Sequence, residues 1–268
     1  MQKTFIYNGL VITPWRVLQN GHVLVEDGYI TAVGSGQTEI PEGAIGVDAK
    51  GNYVAPGFID IHTHGGGGFD FMDGDSESLL GAARAHLQFG TTTIVPTTVS
   101  ADNNKLWPVF EAYRKAKAQK HDGADFGGIH LEGPYFNIEQ KGAMDPKFVR
   151  NPDEKEIEEV LSRSDDIVRW SVAPELPGAF DMARKLRKLG IIVSLGHTMA
   201  VYDQVLEAYE NGFTLCTHLY SAMAGVRRIN AFRHAGPVEA AFLIDEMDVE
   251  IIADGVHLPE ALLKLIVQ

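Results

Sequence analysis

The sequence has a single cysteine, Cys216, among 268 residues. That rules out an internal disulfide, and a reducing cytoplasm is the expected location. No apolar run is long enough to cross a bilayer, so no membrane span is expected. The N-terminal stretch meets Asn8 and Gly9 too early for a secretory leader, which is likewise not expected. Basic residues are scarce: 23 Lys and Arg stand against 36 Asp and Glu, a formal net charge of −13. Nucleic-acid binding needs a basic face to displace counterions and is not expected. An anionic metabolite can still bind, but only through a local cationic site. Repeats, low-complexity runs and linkers are also absent.

What is present divides in two near residue 55. Residues 1–55 read as short strands broken by turns, with Phe5-Ile6-Tyr7 running into Asn8-Gly9 and Val23-Leu24-Val25 into Glu26-Asp27-Gly28. This is a small β module, too short for a good core alone. Residues 56–268 alternate apolar strand-like runs with amphipathic helical stretches. The predicted strands are 58–61, 92–96, 128–131, 168–172, 191–195, 214–217 and 249–253. Helices are predicted over 78–89, 106–120, 155–163, 179–189 and 201–211. Such alternation implies an α/β fold with a parallel sheet covered by helices. Chemistry-bearing residues at several strand ends favour a TIM-type (β/α)8 barrel over a doubly wound sheet, whose first strand would carry a glycine fingerprint. Seven strands are one short of closure and Gln268 falls within a helical pattern, so a chain cut before strand eight is expected.

The first barrel strand ends in His62-Thr63-His64. Residues two apart in extended chain share a side, so both imidazoles can face one point. Alone the pair is weak, since two surface histidines beside the glycine-rich 65–68 loop give the same pattern. Glu132 ends the third strand, where apolar chain gives way to a tight turn; a loop glutamate is ordinarily just solvated. His197 and His218 each follow an apolar run, and singly each reads as a satisfied histidine. Together the odds change. A barrel brings these strand ends to one mouth, making His62, His64, Glu132, His197 and His218 a nitrogen–oxygen cluster without thiolate. Such ligation is typical of a catalytic metal with an open position.

Several segments carry a family resemblance. They are Ala55-Pro56-Gly57-Phe58-Ile59-Asp60-Ile61-His62-Thr63-His64, His130-Leu131-Glu132-Gly133-Pro134, Lys141-Gly142-Ala143, Gly196-His197-Thr198, Thr217-His218-Leu219-Tyr220 and Ala253-Asp254-Gly255-Val256-His257. With them the chain resembles the N-acetylglucosamine-6-phosphate deacetylases of the amidohydrolase superfamily, over essentially its whole length. The resemblance implies hydrolysis of the N-acetyl group of N-acetyl-D-glucosamine 6-phosphate, giving D-glucosamine 6-phosphate and acetate in amino-sugar catabolism. It implies one or two divalent ions, zinc or iron first, with Glu132, His197 and His218 as the principal site. His62 and His64 match a second site that only some members keep. Gly142 and Ala143 match a loop against the sugar. His257 matches a substrate-contacting histidine able to polarise the acetyl carbonyl. Ser221-Ala222 stands where members commonly have Asn-Ala, so Ser221 keeps a hydroxyl but loses the amide's paired donor and acceptor.

Phosphate needs a cation. Arg227, Arg228, Arg233 and His234 lie between His218 and the seventh strand, and guanidinium suits bidentate phosphate contact; a solvated basic loop is the plainer reading. Family members place one arginine here, sometimes reaching a neighbouring subunit. That implies Arg233, with Arg227 second, and a homodimer. The family's general base is an aspartate after strand eight, expected beyond Gln268, with the same missing part completing the β module into a sandwich. Asp254 is a substitute candidate but fits better as an orienter of its own loop. Gly65–Gly68 lacks the following helix and lysine of a phosphate loop, and Cys216 reads as core. Alternatives are a deacetylase of N-acetylgalactosamine 6-phosphate or another N-acyl substrate, or a non-catalytic scaffold of this fold.

Overall fold

The N-terminal apolar stretches assemble into one mixed sheet. β1 (Lys3–Ile12), β2 (Val17–Glu26) and β3 (Tyr29–Ser35) are antiparallel in succession; β4 (Ala44–Asp48) and β5 (Tyr53–Val54) join β1 in parallel. Between β2 and β3, Asp27 and Gly28 have φ of 49° and 87°, the primed turn that Asp-Gly favours. Phe5, Val11 and Val23 are buried, whereas Ile30, Val33, Ile45 and Val47 remain exposed. The structure, a computed structural model, describes residues 2–36 and 39–268. It divides into Met1–Gly57, which holds this sheet, and Phe58–Gln268. Among its described residues the first unit is one sheet, not two layers.

The second unit begins with β6 (Phe58–Thr63), a ribbon of β7 (Gly65–Gly66) and β8 (Phe69–Asp70), then α1 (Ser76–Leu87) and β9 (Thr91–Pro96). There follow α2 (Asn103–Ala118), β10 (Asp125–Phe126), β11 (Ile129–Glu132), α3 (Glu154–Arg163), β12 (Ile167–Val172), α4 (Ala179–Lys188), β13 (Ile192–Leu195), α5 (Tyr202–Glu210) and β14 (Phe213–Cys216). The last elements are the hairpin β15 (Arg227–Ile229) and β16 (Phe232–His234), α6 (Pro237–Leu243), β17 (Asp248–Val249) and α7 (Glu260–Ile266).

Aspartates start three of the helices: Asp75, Asp102 and Asp153 accept from the backbone N–H of Ser78, Asn104 and Glu156. Buried positions then recur at helical spacing, as in Leu106, Val109, Phe110 and Tyr113 of α2 or Met182, Ala183 and Leu186 of α4. Most of them join one core with Leu79 of α1 and with Ile129, Trp170 and Phe213 of the sheet. Each such large side chain contributes about 1.5–3 kcal/mol by leaving water.

All seven main strands are parallel and follow chain order, β6-β9 and β11-β12-β13-β14-β17, with the Thr97–His130 bridge joining the two sheets. Among the described residues there is no reversal of the kind that defines a doubly wound sheet. The sheet curls strongly: Arg169 of central β12 donates both to Ile61 O on β6 and to Glu250 just beyond β17. Yet no ladder joins β6 to β17 among the described residues, so the barrel is not closed, and Phe58, Ile59 and Val249 at its two edges are exposed.

Two expectations need correcting. The seventh strand is only Asp248–Val249 rather than 249–253, because its partner β14 ends at Cys216 and offers no further ladder. The arginine loop is instead the hairpin β15–β16, closed by Asn230 and Ala231, both at positive φ. Among the described residues no helix is long and apolar enough to cross a membrane.

Candidate metal centre

Each residue of the centre sits at or just past the C-terminal end of a parallel strand. His62 lies in β6 with His64 one residue beyond it, Glu132 ends β11, and His197 and His218 come two residues after β13 and β14. The last two adopt left-handed backbone, with φ of 49° and 35°. Non-glycine residues rarely do so, and such strain gathers at functional sites.

The imidazoles converge on one carboxylate. His197 Nε2 and His218 Nε2 lie 3.1 and 3.0 Å from Glu132 Oε1, with His62 Nε2 at 3.5 Å. His64 Nε2 lies 3.3 Å from the other oxygen, Oε2. Glu132 is thus shared by two triads, His62–His64–Glu132 and Glu132–His197–His218, within each of which the ligand atoms lie within 4.8 Å of one another. The far nitrogens are held as well. Nδ1 of His197, His218 and His64 meets the backbone oxygen of Gln140, Ser221 and Thr97 at 2.8, 3.1 and 3.2 Å. A carbonyl only accepts, so these rings carry their proton on Nδ1 and turn a lone pair on Nε2 toward Glu132. Lone pairs facing a carboxylate at these distances repel unless a cation lies among them. The residues therefore fit a divalent ion, and the imidazole–carboxylate donor set suits zinc or iron.

Burial sets the electrostatics. Burial pushes the Glu132 carboxyl up, but the four imidazoles around it outweigh this and hold it well below the usual range. Burial lowers His62, while Glu132 and Glu250 together more than reverse this and raise it to about 9. His130, beneath His62 with ring centroids 4.6 Å apart, is held well below its ordinary value by burial and by Arg169.

A cavity of about 1390 Å³ opens over the centre. Gly142, Ala143, Ser221, Ala222 and His257 line it together with His62, His64, Glu132, His197 and His218. Gly142 has φ of 55°, and a β-carbon there would sit 3.3 Å from the His197 ring, which favours glycine for this approach. Asp254 accepts from the backbone N–H of Val256 and His257, both at 2.9 Å, and from His257 Nδ1 at 2.7 Å. Those hydrogen bonds lower Asp254 to about 2 and leave Nε2 as the free nitrogen of His257.

The arginines stand apart from this cavity. Arg227 donates to Met199 O and Ala200 O, and Arg233 lines a separate small cavity with Tyr202 and His234. Cys216 is fully buried in β14, which pushes its thiol up to about 12. Two polar residues of the interior escaped the sequence reading, Glu250 and Arg169. Arg169 carried a signal: it is the one charge inside the apolar run Ile167–Val172.

Comparison with known proteins agrees with this geometry. The amidohydrolase family model matches residues 53–268. The chain is similar to the N-acetylglucosamine-6-phosphate deacetylase of Vibrio furnissii, 38% identical over 209 residues, covering 78% of this chain and 51% of that protein. It is also similar to the N-acetylgalactosamine-6-phosphate deacetylase of Escherichia coli O157:H7, 30% identical over 249 residues, covering 92% and 63%. The chain thus spans between half and two thirds of these relatives. A solved structure, an aspartate-to-alanine variant of N-acetyl-D-glucosamine-6-phosphate deacetylase from Mycobacterium smegmatis in complex with N-acetyl-D-glucosamine-6-phosphate, superposes with a TM-score of 0.87 at 32% identity, covering 100% of this chain and 68% of that one. This chain belongs to the amidohydrolase family.

Proposed function

We propose that the chain carries the metal-binding part of a deacetylase that cleaves the acetamido C–N bond of N-acetyl-D-glucosamine 6-phosphate, releasing acetate and D-glucosamine 6-phosphate. The observation that carries this reading is the carboxylate of Glu132 shared by two pairs of imidazoles at the mouth of a curled parallel sheet. The names of the relatives supply the substrate class. We read the curled sheet as a TIM-type barrel and the N-terminal sheet as one layer of a sandwich, each completed by sequence that the longer relatives possess. A cytoplasmic location goes with this reading.

Glu132, His197 and His218 would hold one ion; His62 and His64, with the second Glu132 oxygen, would hold another. The chemistry supplied by a divalent ion there is Lewis acidity, which acidifies water and polarises an amide carbonyl. His257, whose Nδ1–H is accepted by Asp254, would donate from Nε2 in its doubly protonated form to the acetyl oxygen as negative charge develops on it. The backbone of Gly142 and Ala143 and the Ser221–Ala222 turn orient the sugar. A base must take a proton from water and return it to the departing amine. The carboxylates lining the cavity are committed elsewhere: Glu132 to the imidazoles, Glu250 to Arg169 and His62, Asp254 to its own loop, Asp145 to Lys147, and Asp60 to the His62 backbone N–H. None of these is free to act, and we propose, as the resemblance implies, that the base is an aspartate in the part of the longer relatives that this chain does not span. Arg233, or Arg227, outside this cavity, would bind the phosphate of a second copy's substrate, making the protein a homodimer.

The test is turnover across acetamido sugars with and without a 6-phosphate, by protein that includes this base and is loaded with zinc or iron. Acetate release from the gluco 6-phosphate above all others is expected. Equal rates on the unphosphorylated sugar would remove the phosphate from the proposal. A preference for the galacto epimer would select the second reading, which the Escherichia coli relative's name favours.

A further inference from the structure

We propose that Glu250, locked by Arg169, is a positioning residue that fixes the His62 tautomer and thereby equips the His62–His64 side of Glu132 for a second ion. The inference rests on the metal-centre reading above and concerns a residue outside both triads. Three of the four imidazoles are held through Nδ1 by backbone carbonyls, whereas His62 is held by a carboxylate, Glu250 Oε1, at 2.7 Å. An ionised carboxylate only accepts, so the neutral ring keeps its proton on Nδ1 and turns its Nε2 lone pair toward Glu132 Oε1, 3.5 Å away.

Glu250 is not itself free to ligate. Oε1 also accepts from the His218 backbone N–H at 3.1 Å, and Oε2 is taken by Arg169 Nη1. Its backbone is tied on both sides, N–H to Cys216 O at 2.9 Å and carbonyl to Leu219 N–H at 2.8 Å. Arg169 is equally committed, donating from Nε to Ser194 Oγ at 3.0 Å, from Nη2 to Thr217 Oγ1 at 2.9 Å and from Nη1 to Ile61 O at 3.3 Å. The guanidinium cancels the charge of Glu250, leaving Glu132 as the anion the ions share. A carboxylate behind a ligating histidine fixes its ring and raises its basicity, and losing such a partner typically weakens metal binding by about 10–100-fold. Glu250 bonds both His62 and the backbone of His218, so it also ties the two sides of the centre together.

Zinc titration of the chelator-stripped chain against a chromophoric competitor tests this, comparing unmodified protein with Glu250→Gln, which keeps the shape and removes the charge. The unmodified chain is expected to bind two ions. The variant, with unchanged far-UV circular dichroism, is expected to keep the first affinity and to lose about 10–100-fold at the second. Two ions bound with unchanged affinities overturn the proposal, as does an equal loss at both sites, which marks a merely structural role. Should the variant not fold, nitrogen-15 spectra of histidine-labelled unmodified protein decide: zinc-loaded His62 must carry its proton on Nδ1, and a proton on Nε2 overturns the proposal. One ion in the unmodified chain also overturns it while sparing the deacetylase reading; no ion at all removes both.

Discussion

His197 Nε2 and His218 Nε2 face each other at 3.1 Å, although both rings spend their Nδ1 proton on a backbone carbonyl. Two lone pairs and the Glu132 carboxylate thus point into one space, an arrangement that is repulsive without a cation. Metal binding should therefore stabilise the fold with the logarithm of the free ion concentration above Kd, by about 2.7 kcal/mol at a hundredfold excess. Chelation is expected to lower the melting temperature and zinc to restore it. Glu132→Gln should abolish the response at both sites, since its carboxylate serves both triads. A melting temperature indifferent to chelator and zinc in the unmodified chain would contradict the metal assignment.

Arg233 is the first candidate for substrate phosphate, yet it lies outside the metal cavity. If it serves a second copy, Arg233→Ala should raise KM for the 6-phosphate substrate by about 10–100-fold, the loss of a hydrogen bond to a charged group. The rate on the unphosphorylated sugar should hardly move. Mixing this variant with a Glu132→Gln variant is the sharper check. Mixed dimers pair an intact metal centre with an intact arginine, so part of the lost activity should return. No recovery would place the phosphate site within one chain.

Much of this centre was legible because its signals are local. Apolar runs of four to six residues ending in His or Glu announce strand ends, and parallel topology gathers strand ends on one side. What escaped depends on the curl of the sheet. Nothing near Arg169 in sequence reveals that its guanidinium meets Glu250, 81 residues away, because only the curvature brings β12 opposite the segment after β17. Glu250 was absorbed into a predicted strand over 249–253, where a single glutamate reads as an edge residue. The β15–β16 hairpin was missed for a different reason. Its turn, Asn230-Ala231, has φ of 48° and 70°, and an alanine there does not announce a left-handed turn as glycine would.

Stability should fall in acid partly through Glu156. Its carboxylate accepts from Arg150 Nε at 3.0 Å, Asn103 Nδ2 at 2.8 Å and Tyr135 Oη at 3.0 Å. Burial raises the Glu156 pKa, but Arg150 outweighs it and the net shift is downward from 4.5. The sign follows from that direction. A depressed carboxylate stabilises fully above its unfolded value and loses that contribution as pH falls through the folded one. Glu156→Gln should therefore lower unfolding free energy by about 1–3 kcal/mol near neutral pH. Urea titrations should show that gap narrowing below about pH 4.5. A gap of constant size down to strong acid would mean the charge is not what stabilises.

Gly133 is a sensitive backbone position beside the candidate metal centre, for reasons that combine. It follows Glu132 and has φ of 86°, where an L side chain is strained. A β-carbon would lie 2.3 Å from Ser100 Oγ and 2.7 Å from the Phe136 ring. Ser100 can rotate away, but Phe136 stacks on His197 with centroids 4.2 Å apart, so displacing it moves a candidate ligand. The backbone cannot yield either: Gly133 N–H donates to Ser171 O at 3.2 Å, and its carbonyl accepts from Trp170 Nε1 at 2.8 Å. Gly133→Ala should lose about 1–3 kcal/mol of stability through strain and overpacking. It should also weaken the Glu132–His197–His218 site more than the His62–His64 side, because Phe136 touches only the former's ring. Urea unfolding reads the first effect and zinc titration the second. If stability falls while both affinities hold, Phe136 is not a support for His197, and the ring position is set by the Gln140 carbonyl alone.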